Sequence, residues 1–553
     1  MNESLFTLLP LVAPAVLLVF SFLAIGNKNA QGIARFSEAA AWIGLLTAIA
    51  SGLILYLYGT IQSGLLGWQG LGFAIRIDSL SMIMFIMIAI LGLVVLRYSV
   101  NYMDGDPRKN IFMARMATTI AGVELLVLSG NLGQLFIFWV ITSICLHYLL
   151  VFYRGRPQAI AAARKKFVMA RIGDAALFAA TAILYAEFGT GDLDAIFQGI
   201  QQLIGLNSAL VTATILLVIT AVLKSAQFPT HGWLVKVVET PTPVSALLHA
   251  GLLNAGPFLM VRMSFLMIES NAASLLLIGI AGFTAMFASV VYLTQPSIKV
   301  ALGYSSIAHM GFSLLICGFG VYSAALLHVV AHSFYKAHAF LSSGSVIDSV
   351  RARKINVPKR MGSVARVGLG ILASMGIYAL FCYIWGVNPA EDFSLMATGA
   401  IIVMGLSQII SGTLDSQGTY KAVLQTSGLA FFVALSFFSF EHAARVLLGS
   451  QIPSYTNPGF TIKSAATVVL AIYSAVVLLQ LFSSKLNKNL GYTLGVHLRN
   501  GLYANVIFDR MIGSLKNEKF KWANLTVREE SQEEANIPAE VIEDLKTEVV
   551  SKS

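Results

Sequence analysis

Runs of about twenty consecutive apolar residues recur along this sequence, and they set the first constraint on its fold. A run of that length matches the hydrocarbon core of a bilayer when it is helical. The runs fall near 4–25, 38–59, 79–98, 112–130, 132–153, 166–187, 209–238, 243–267, 272–293, 298–318, 321–347, 366–386, 395–413, 421–440 and 463–482. Of 553 residues, 57% are hydrophobic and only 12% charged, more apolar surface than a soluble fold can hide. The sequence therefore predicts an all-α polytopic membrane protein of about fifteen transmembrane helices. The first run follows Met1-Asn2-Glu3-Ser4 without a basic leader or a small-residue cleavage site, so it reads as a retained span rather than a signal peptide.

The formal net charge is +10. A basic balance suggests nucleic acid in a soluble protein, but here the cations lie in short loops between spans, where they set topology. Loops after odd-numbered spans carry Lys28 and Arg35, then Arg108 and Lys109, then Arg154, Arg156, Arg164 and Lys165, and later Arg351, Arg353, Lys354, Lys359 and Arg360. Loops after even-numbered spans carry Glu187, Asp192, Asp194, Glu269, Glu391 and Asp392, with Arg76 and Arg445 as basic exceptions. Positive loops face the cytoplasm. This places the N-terminus outside and the C-terminus inside. The tail 484–553, with its acidic stretch Glu529-Glu530-Ser531-Gln532-Glu533-Glu534, is either a solvated tail or a docking strip for a cytoplasmic partner.

The chemistry is expected around residues 221–262. Lys224 lies in an apolar helix that Pro229 and Gly232 interrupt, and Pro241 and Pro243 break the chain again before His249. A buried amine must find partners or water, and freed backbone groups must be satisfied by protein or a hydrated cavity. Both costs at one place point to an ion path, through an amine whose charge switches as its partners move. The alternative for Lys224 is snorkelling to the interface.

Further polar groups stand at membrane depth. Arg171 and Asp174, three apart, pair as a supporting ion pair that is either structural or sets the field near Lys224. His328, His332 and Lys336, at i, i+4 and i+8, share one helix face and form a candidate relay. The His328/His332 spacing also suits zinc, but no third ligand is evident and Lys336 would repel a cation, so no metal is expected in this chain. Lys299 is a snorkelling anchor or a relay member, and His309 a candidate link beyond it. Glu124 stands alone, deep in the fourth span. Cys145, Cys317 and Cys382 show no pairing or metal spacing and read as core residues. No flavin, nucleotide or haem fingerprint is present, so any cofactor is expected on another chain.

These residues carry a resemblance. Lys-Ser-Ala-Gln-Phe-Pro (224–229), Pro-Thr-Pro-Val-Ser-Ala-Leu-Leu-His-Ala (241–250), Leu-Gly-Tyr-Ser-Ser (302–306) and His-Val-Val-Ala-His-Ser-Phe-Tyr-Lys-Ala (328–337) are similar to the antiporter-like membrane subunits. That family includes the large proton-pumping subunit of respiratory complex I (subunit L or 5) and the large subunit of Mrp-type antiporters. Arg-Ile-Gly-Asp (171–174) and Asp-Ser-Leu-Ser (78–81) fit as well, and the likeness covers about residues 70 to 360. It implies two inverted five-helix repeats, each with a broken helix, joined by a polar axis. Lys224 would be the central amine of the first repeat, His249 its neighbour, and Lys299, His328, His332 and Lys336 the onward path. The expected division is 1–111 N-terminal spans, 112–268 first repeat, 269–413 second repeat, 414–483 C-terminal spans and 484–553 tail.

Two departures stand out. Where the pumping subunits carry Glu after a Trp, Trp139 is followed here by Val140, leaving the amine's usual carboxylate missing unless Glu124 supplies one. The second broken helix normally carries a Lys, and 366–386 has none. Little apolar sequence follows Phe482 where the complex I subunit has a long lateral helix. With Ala-Gly-Leu-Leu-Asn-Ala-Gly (250–256) after His249, the pattern is most similar to a third branch, the DabB membrane subunits of two-component inorganic-carbon accumulation complexes. The DabA partner of that branch is a large cytoplasmic zinc protein resembling a carbonic anhydrase. The resemblance implies a non-enzymatic subunit that passes protons or sodium inward and drives carbon dioxide hydration on its partner. The rivals are an outward proton pump of a redox complex, an Mrp-type sodium/proton exchanger and a non-transporting scaffold.

Overall fold

The computed structural model describes residues 6–26, 30–153, 155–237, 240–344, 363–388, 391–416, 420–453, 458–482 and 488–512. The basic cluster 351–360, Lys28, Arg154 and the acidic stretch 529–534 lie outside the described residues. The chain divides after Asn505, and of the second unit only the end of one helix is described.

The fold is all-α apart from two small β-ribbons. The helices are α1 (Val12–Gly26), α2 (Ala30–Tyr58), α3 (Ser79–Tyr102), α4 (Lys109–Val127), α5 (Leu132–Leu150) and α6 (Pro157–Phe188). Then come α7 (Leu193–Gln201), α8 (Ser208–Lys224), α9 (Gly232–Lys236), α10 (Thr242–Ala250), α11 (Ala255–Arg262), α12 (Ser264–Ile268), α13 (Asn271–Tyr292), α14 (Ile298–Gly318) and α15 (Tyr322–Leu341). The rest are α16 (Val364–Ile384), α17 (Phe393–Asp415), α18 (Tyr420–Leu448), α19 (Phe460–Leu481), α20 (Lys488–Arg499) and α21 (Ala504–Ile512).

Thirteen described spans are long and apolar enough to cross a bilayer, counting the interrupted Thr242–Arg262 as one. Two of the fifteen expected spans fall outside that set, for different physical reasons. α8 has only 17 residues because it stops at Lys224. α15 has 20, but His328, His332, His338 and Lys336 lower its apolar character.

The breaks differ from the expected ones. α8 ends at Lys224, five residues before Pro229, as Ala226 takes a left-handed conformation (φ 50°). The amides beyond the turn are satisfied: Gln227 N donates to Val222 O (3.2 Å) and Phe228 N to Thr284 Oγ1 (3.1 Å). Pro241 and Pro243 start α10 rather than break it, because the first turn of a helix has no use for the missing N–H. The second interruption follows His249, at Gly251–Asn254, between α10 and α11. A break was also expected in the second half, but α16 and α17 each run as one uninterrupted helix.

Small residues bring the helices together. A Cβ at Gly311 would lie 2.8 Å from Ala285 N, and one at Gly256 would lie 2.2 Å from Ser225 Oγ and 2.6 Å from Ala221 O. Such close backbone approach is how apolar helices associate where lipid removes the hydrophobic drive.

One end of the bundle is tied by loops. β1 (Ile61–Gln62) pairs antiparallel with β4 (Arg76–Ile77), and β2 (Leu66–Trp68) with β3 (Leu71–Phe73). Asp78, Asn131, Asp192 and Asn207 cap α3, α5, α7 and α8 by accepting from the third residue on. Under this end lies an ion network whose core, Arg76, Asp78 and Arg262, is buried. Asp78 accepts from Arg76 Nε (2.5 Å) and from Arg262, which also donates to Ser81 Oγ (2.6 Å); Arg76 pairs further with Asp194. This explains Arg76, a basic residue among acidic loops: it is a buried clamp, not a topology charge. Burial alone would raise the Asp78 carboxyl, but the guanidiniums of Arg262 and Arg76 outweigh it and hold it below the ordinary carboxylate range. Its contribution to stability is therefore present above about pH 4, the unfolded value, and is lost only as pH falls below that.

Removing one partner leaves a buried charge uncompensated. Arg262→Met is expected to cost about 3–5 kcal/mol and lower the melting midpoint of the detergent-purified protein. Asp78→Asn added to it is expected to recover much of that loss. A melting midpoint unchanged by Arg262→Met would refute the clamp.

Candidate functional site

Two clusters of titratable side chains lie inside the spans, and the broken elements hold both. The first gathers where α8 stops. Lys224 is the last residue of α8, so its ammonium stands at the negative end of that helix's dipole. Its Nζ donates to Trp139 O (3.2 Å) and lies 4.5 Å from the Trp139 ring centroid. Arg171 and Asp174, one turn apart on α6, pair at 2.6 Å. The charges that act on Lys224 are those of Asp174 and Arg171. The carboxylate serving this amine is thus Asp174. Glu124 is buried on α4, with Oε2 unpartnered, and no charged side chain acts on it. Among the described residues it makes no ion pair with Lys224.

Two cavities of about 10 Å³ each flank Lys224, each the size of one water. One is shared with Trp139, Lys166 and Thr220, the other with Thr142, Gly251 and Leu252. The second reaches the break after His249, so the two interruptions face the same amine. They are also stitched together: Ser225 Oγ donates to Leu253 O (2.8 Å), and Asn254 Nδ2 donates to Ala250 O and Ser333 Oγ (both 2.7 Å).

The second cluster joins α10, α14 and α15. His249, at the end of α10, is buried and stacks on Phe340 at 4.2 Å between centroids. Lys336 is wholly buried and donates to Ser305 Oγ (2.7 Å) and Leu302 O (3.3 Å). His309 Nδ1 and His328 Nε2 share a hydrogen bond at 3.2 Å, and the His332 ring lies 5.2 Å from that of His309. Lys336 acts electrostatically on His249, His309 and His332. Lys299 lies at the margin, its Nζ 3.4 Å from Thr242 Oγ1. A cavity of about 430 Å³ opens against His309 and His328, with Gln408, Tyr473 and Gln480 on its far wall. Among the described residues no group of three or more His, Cys, Asp or Glu is placed to hold a metal ion. The imidazoles of His309 and His328 instead share a hydrogen bond, and the His332 ring packs beside them with both nitrogens unpartnered.

Sequence reasoning missed three buried groups. Lys166 was not singled out, standing at the very edge of the expected span 166–187, but α6 begins at Pro157, and a proline at a helix start was the available signal. Glu441, buried on α18, accepts from Ser323 Oγ (2.9 Å) at the head of α15. His231 is buried in the first break among Phe228, Phe287 and Tyr304, with both ring nitrogens unpartnered.

Comparison with known proteins places this arrangement. The family described as "NADH:quinone oxidoreductase/Mrp antiporter, TM" matches residues 129–382, and "NADH-Ubiquinone oxidoreductase (complex I), chain 5 N-terminus" matches 69–113. A probable inorganic carbon transporter subunit DabB2 of Halothiobacillus neapolitanus is 34% identical over 523 residues, covering 91% of this chain and 93% of that one. The chloroplastic NAD(P)H-quinone oxidoreductase subunit 5 of Ranunculus macranthus is 37% identical over 61% of this chain and 49% of its own. Among solved structures, the Mrp complex from Dietzia sp. DQ12-45-1b aligns over 99% of this chain and 60% of that chain, with TM-score 0.54 and 21% identity, a likeness of fold.

The crossing of the two breaks is testable without any assay of function. Gly256→Val would push into Ser225 and the Ala221 carbonyl, and overpacking of this kind costs about 1–3 kcal/mol or more. It is expected to lower the melting midpoint and the monodisperse yield in detergent. Gly279→Ala, which meets nothing within 4 Å, is expected to change neither. Equal behaviour of the two variants would refute the close crossing.

Proposed function

We propose that this chain, which belongs to the DabB-type inorganic carbon transporter subunits of the NADH:quinone oxidoreductase/Mrp antiporter family, couples inward proton flow to inorganic-carbon accumulation. It is a non-enzymatic, antiporter-like ion-translocating membrane subunit. On our reading 112–268 and 269–413 form two inverted repeats, with the N-terminus outside and the tail cytoplasmic in a bacterial inner membrane. The path runs through Lys224, His249, Lys336, His332, His309 and His328, with Lys299 at its margin and Arg171–Asp174 setting the field at Lys224. Glu124 belongs to it only as an isolated buried carboxyl. Carbon dioxide hydration takes place on a DabA-like cytoplasmic partner that carries zinc.

One observation carries the reading: two amines at membrane depth, the half-buried Lys224 and the wholly buried Lys336, lie in or beside interrupted helices, each linked to further titratable groups. An amine in a span is expensive, and its ordinary reason for being there is an ion pathway. The interrupted backbone between them supplies an element that two protonation states bind unequally, as coupling requires.

The first experiment is capture of the tagged protein from membranes in mild detergent, with partners identified and metals assayed. One large soluble partner carrying zinc is the expected result. Many subunits with iron–sulfur clusters, or several small membrane proteins without metal, would overturn it in favour of a redox pump or an Mrp-type exchanger. In cells lacking other uptake systems, Lys224→Ala is expected to assemble normally yet lose about tenfold or more of labelled inorganic-carbon accumulation. Asp174→Asn is expected to lose about as much, since it removes a charge interaction worth a few kcal/mol. Glu124→Gln is expected to act weakly. Full uptake by Lys224→Ala would refute the mechanism.

A further inference from the structure

The path above leaves Lys166 unused. Lys166 lies well inside α6 and is 4% exposed. Its Nζ donates to Ser143 O (2.7 Å) and Ser143 Oγ (2.9 Å) on α5, and it lines the same small cavity as Lys224 and Trp139. The groups that face it are Arg171 and Asp174 on its own helix, Lys224 on α8, and Cys145 and His147 on α5. From α9, Trp233 completes the wall. α5 brings no carboxylate here, since the residue one turn before Ser143 is Val140.

One carboxylate, Asp174, therefore serves three cations. Arg171 cannot give up its proton and is already paired with Asp174. Lys166 and Lys224 are left without an anion of their own, and two ammonium groups at one water-sized cavity repel strongly where water is scarce. An amine relieves this by releasing a proton. Ser143 suits either form of Lys166, because a hydroxyl accepts from an ammonium and donates to a neutral amine.

We propose that Lys166 and Lys224 form a two-amine switch holding one exchangeable proton, with Lys166 the intramembrane station nearer the basic loop at the start of α6. The ammonium of Lys224 gives a proton to a water in the shared cavity, and that water gives one of its own protons to the neutral Nζ of Lys166. One N–H bond breaks and one forms, the water is regenerated, and the total charge is unchanged. The step rests on the proton-conducting reading above.

The test uses inverted membrane vesicles holding the chain with its own partner. An imposed pH gradient drives flux, a trapped pH-sensitive dye reports it, and the rate is measured across pH. Lys166→Met removes the competing charge, so Lys224 keeps its proton to higher pH, and the midpoint is expected to rise by about one unit. Lys166→Arg fixes a charge there, and the midpoint is expected to fall by about one unit, with slower flux. A Lys166 that stays protonated throughout would leave the midpoint unmoved in Lys166→Arg, and one that stays neutral throughout would leave it unmoved in Lys166→Met; only an exchanging pair moves both. If both variants assemble and either midpoint stays at the wild-type value, the switch is refuted. Should Lys166→Met fail to accumulate, Lys166→Gln carries the same expectation, and the Arg variant decides alone if both neutral variants fail. A wild-type vesicle without flux would instead overturn the proton-conducting reading itself.

Discussion

Asp174 is the single carboxylate among the cations of the first cluster, and the arrangement around it follows from that shortage. Taking one charge out of water costs several kcal/mol, so a buried cation persists only with an anion, hydrogen bonds or a way to lose its charge. Arg171 takes the anion directly. Lys224 takes a backbone carbonyl, an aromatic face and the negative end of α8. Lys166 takes a carbonyl and a hydroxyl. Each amine is held by groups that tolerate the loss of a proton, and the one cation that cannot lose its proton holds the ion pair.

The broken helices are the backbone counterpart of that economy. Stopping α8 at Lys224 frees its last carbonyls, of which Ala221 O accepts from Ser225 N and Val222 O from Gln227 N, and the turn closes further through Thr284 and Leu253. The second interruption, at Gly251–Asn254, lies against the first, and Asn254 ties it to α15, which carries His328, His332 and Lys336. A shift in either break is therefore felt by the other and by the second cluster. The Asp78–Arg262 clamp sits at the end of α11, the same element, and anchors it to the loop end of the bundle. A movable centre is thus attached to a fixed edge.

Much of this was legible in the sequence. Apolar runs gave the places of the spans, because twenty apolar residues have few alternatives to crossing a bilayer, but α2 and α6 begin about eight or nine residues before the expected runs and α18 ends about eight after. Lys224, His249 and the His328–Lys336 face stood out because a titratable residue in such a run is costly. The helix ends were less legible. Pro229 looked like the breaker, yet the helix stops at Lys224, where a left-handed Ala226 carries no sequence signature. Pro241 and Pro243 looked like breaks but are starts, a distinction set by which amides need partners. Arg76 was hidden among loop charges and Lys166 at the edge of an expected span, since only three-dimensional packing shows which basic residues are buried. The role of Asp174 over Glu124 was likewise a matter of which face each helix turns toward α8.

The two clusters solve the same problem with different chemistry. The first uses amines, a guanidinium and a carboxylate, so its charge is fixed at one corner by Arg171 and Asp174 and exchangeable elsewhere. The second has one amine and four imidazoles, with no carboxylate among the groups that act on Lys336. Imidazoles accept on one nitrogen while donating from the other, so they pass a proton without a standing counter-charge. His309, His328 and His332 are spaced for that, with a cavity of about 430 Å³ beside them to admit water. A proton arriving at the second cluster therefore changes its net charge more than one moving within the first. On the proton-conducting reading this makes the step between Lys224 and the Lys336–histidine group, across the stitched breaks, the one with most free energy to transmit to a partner.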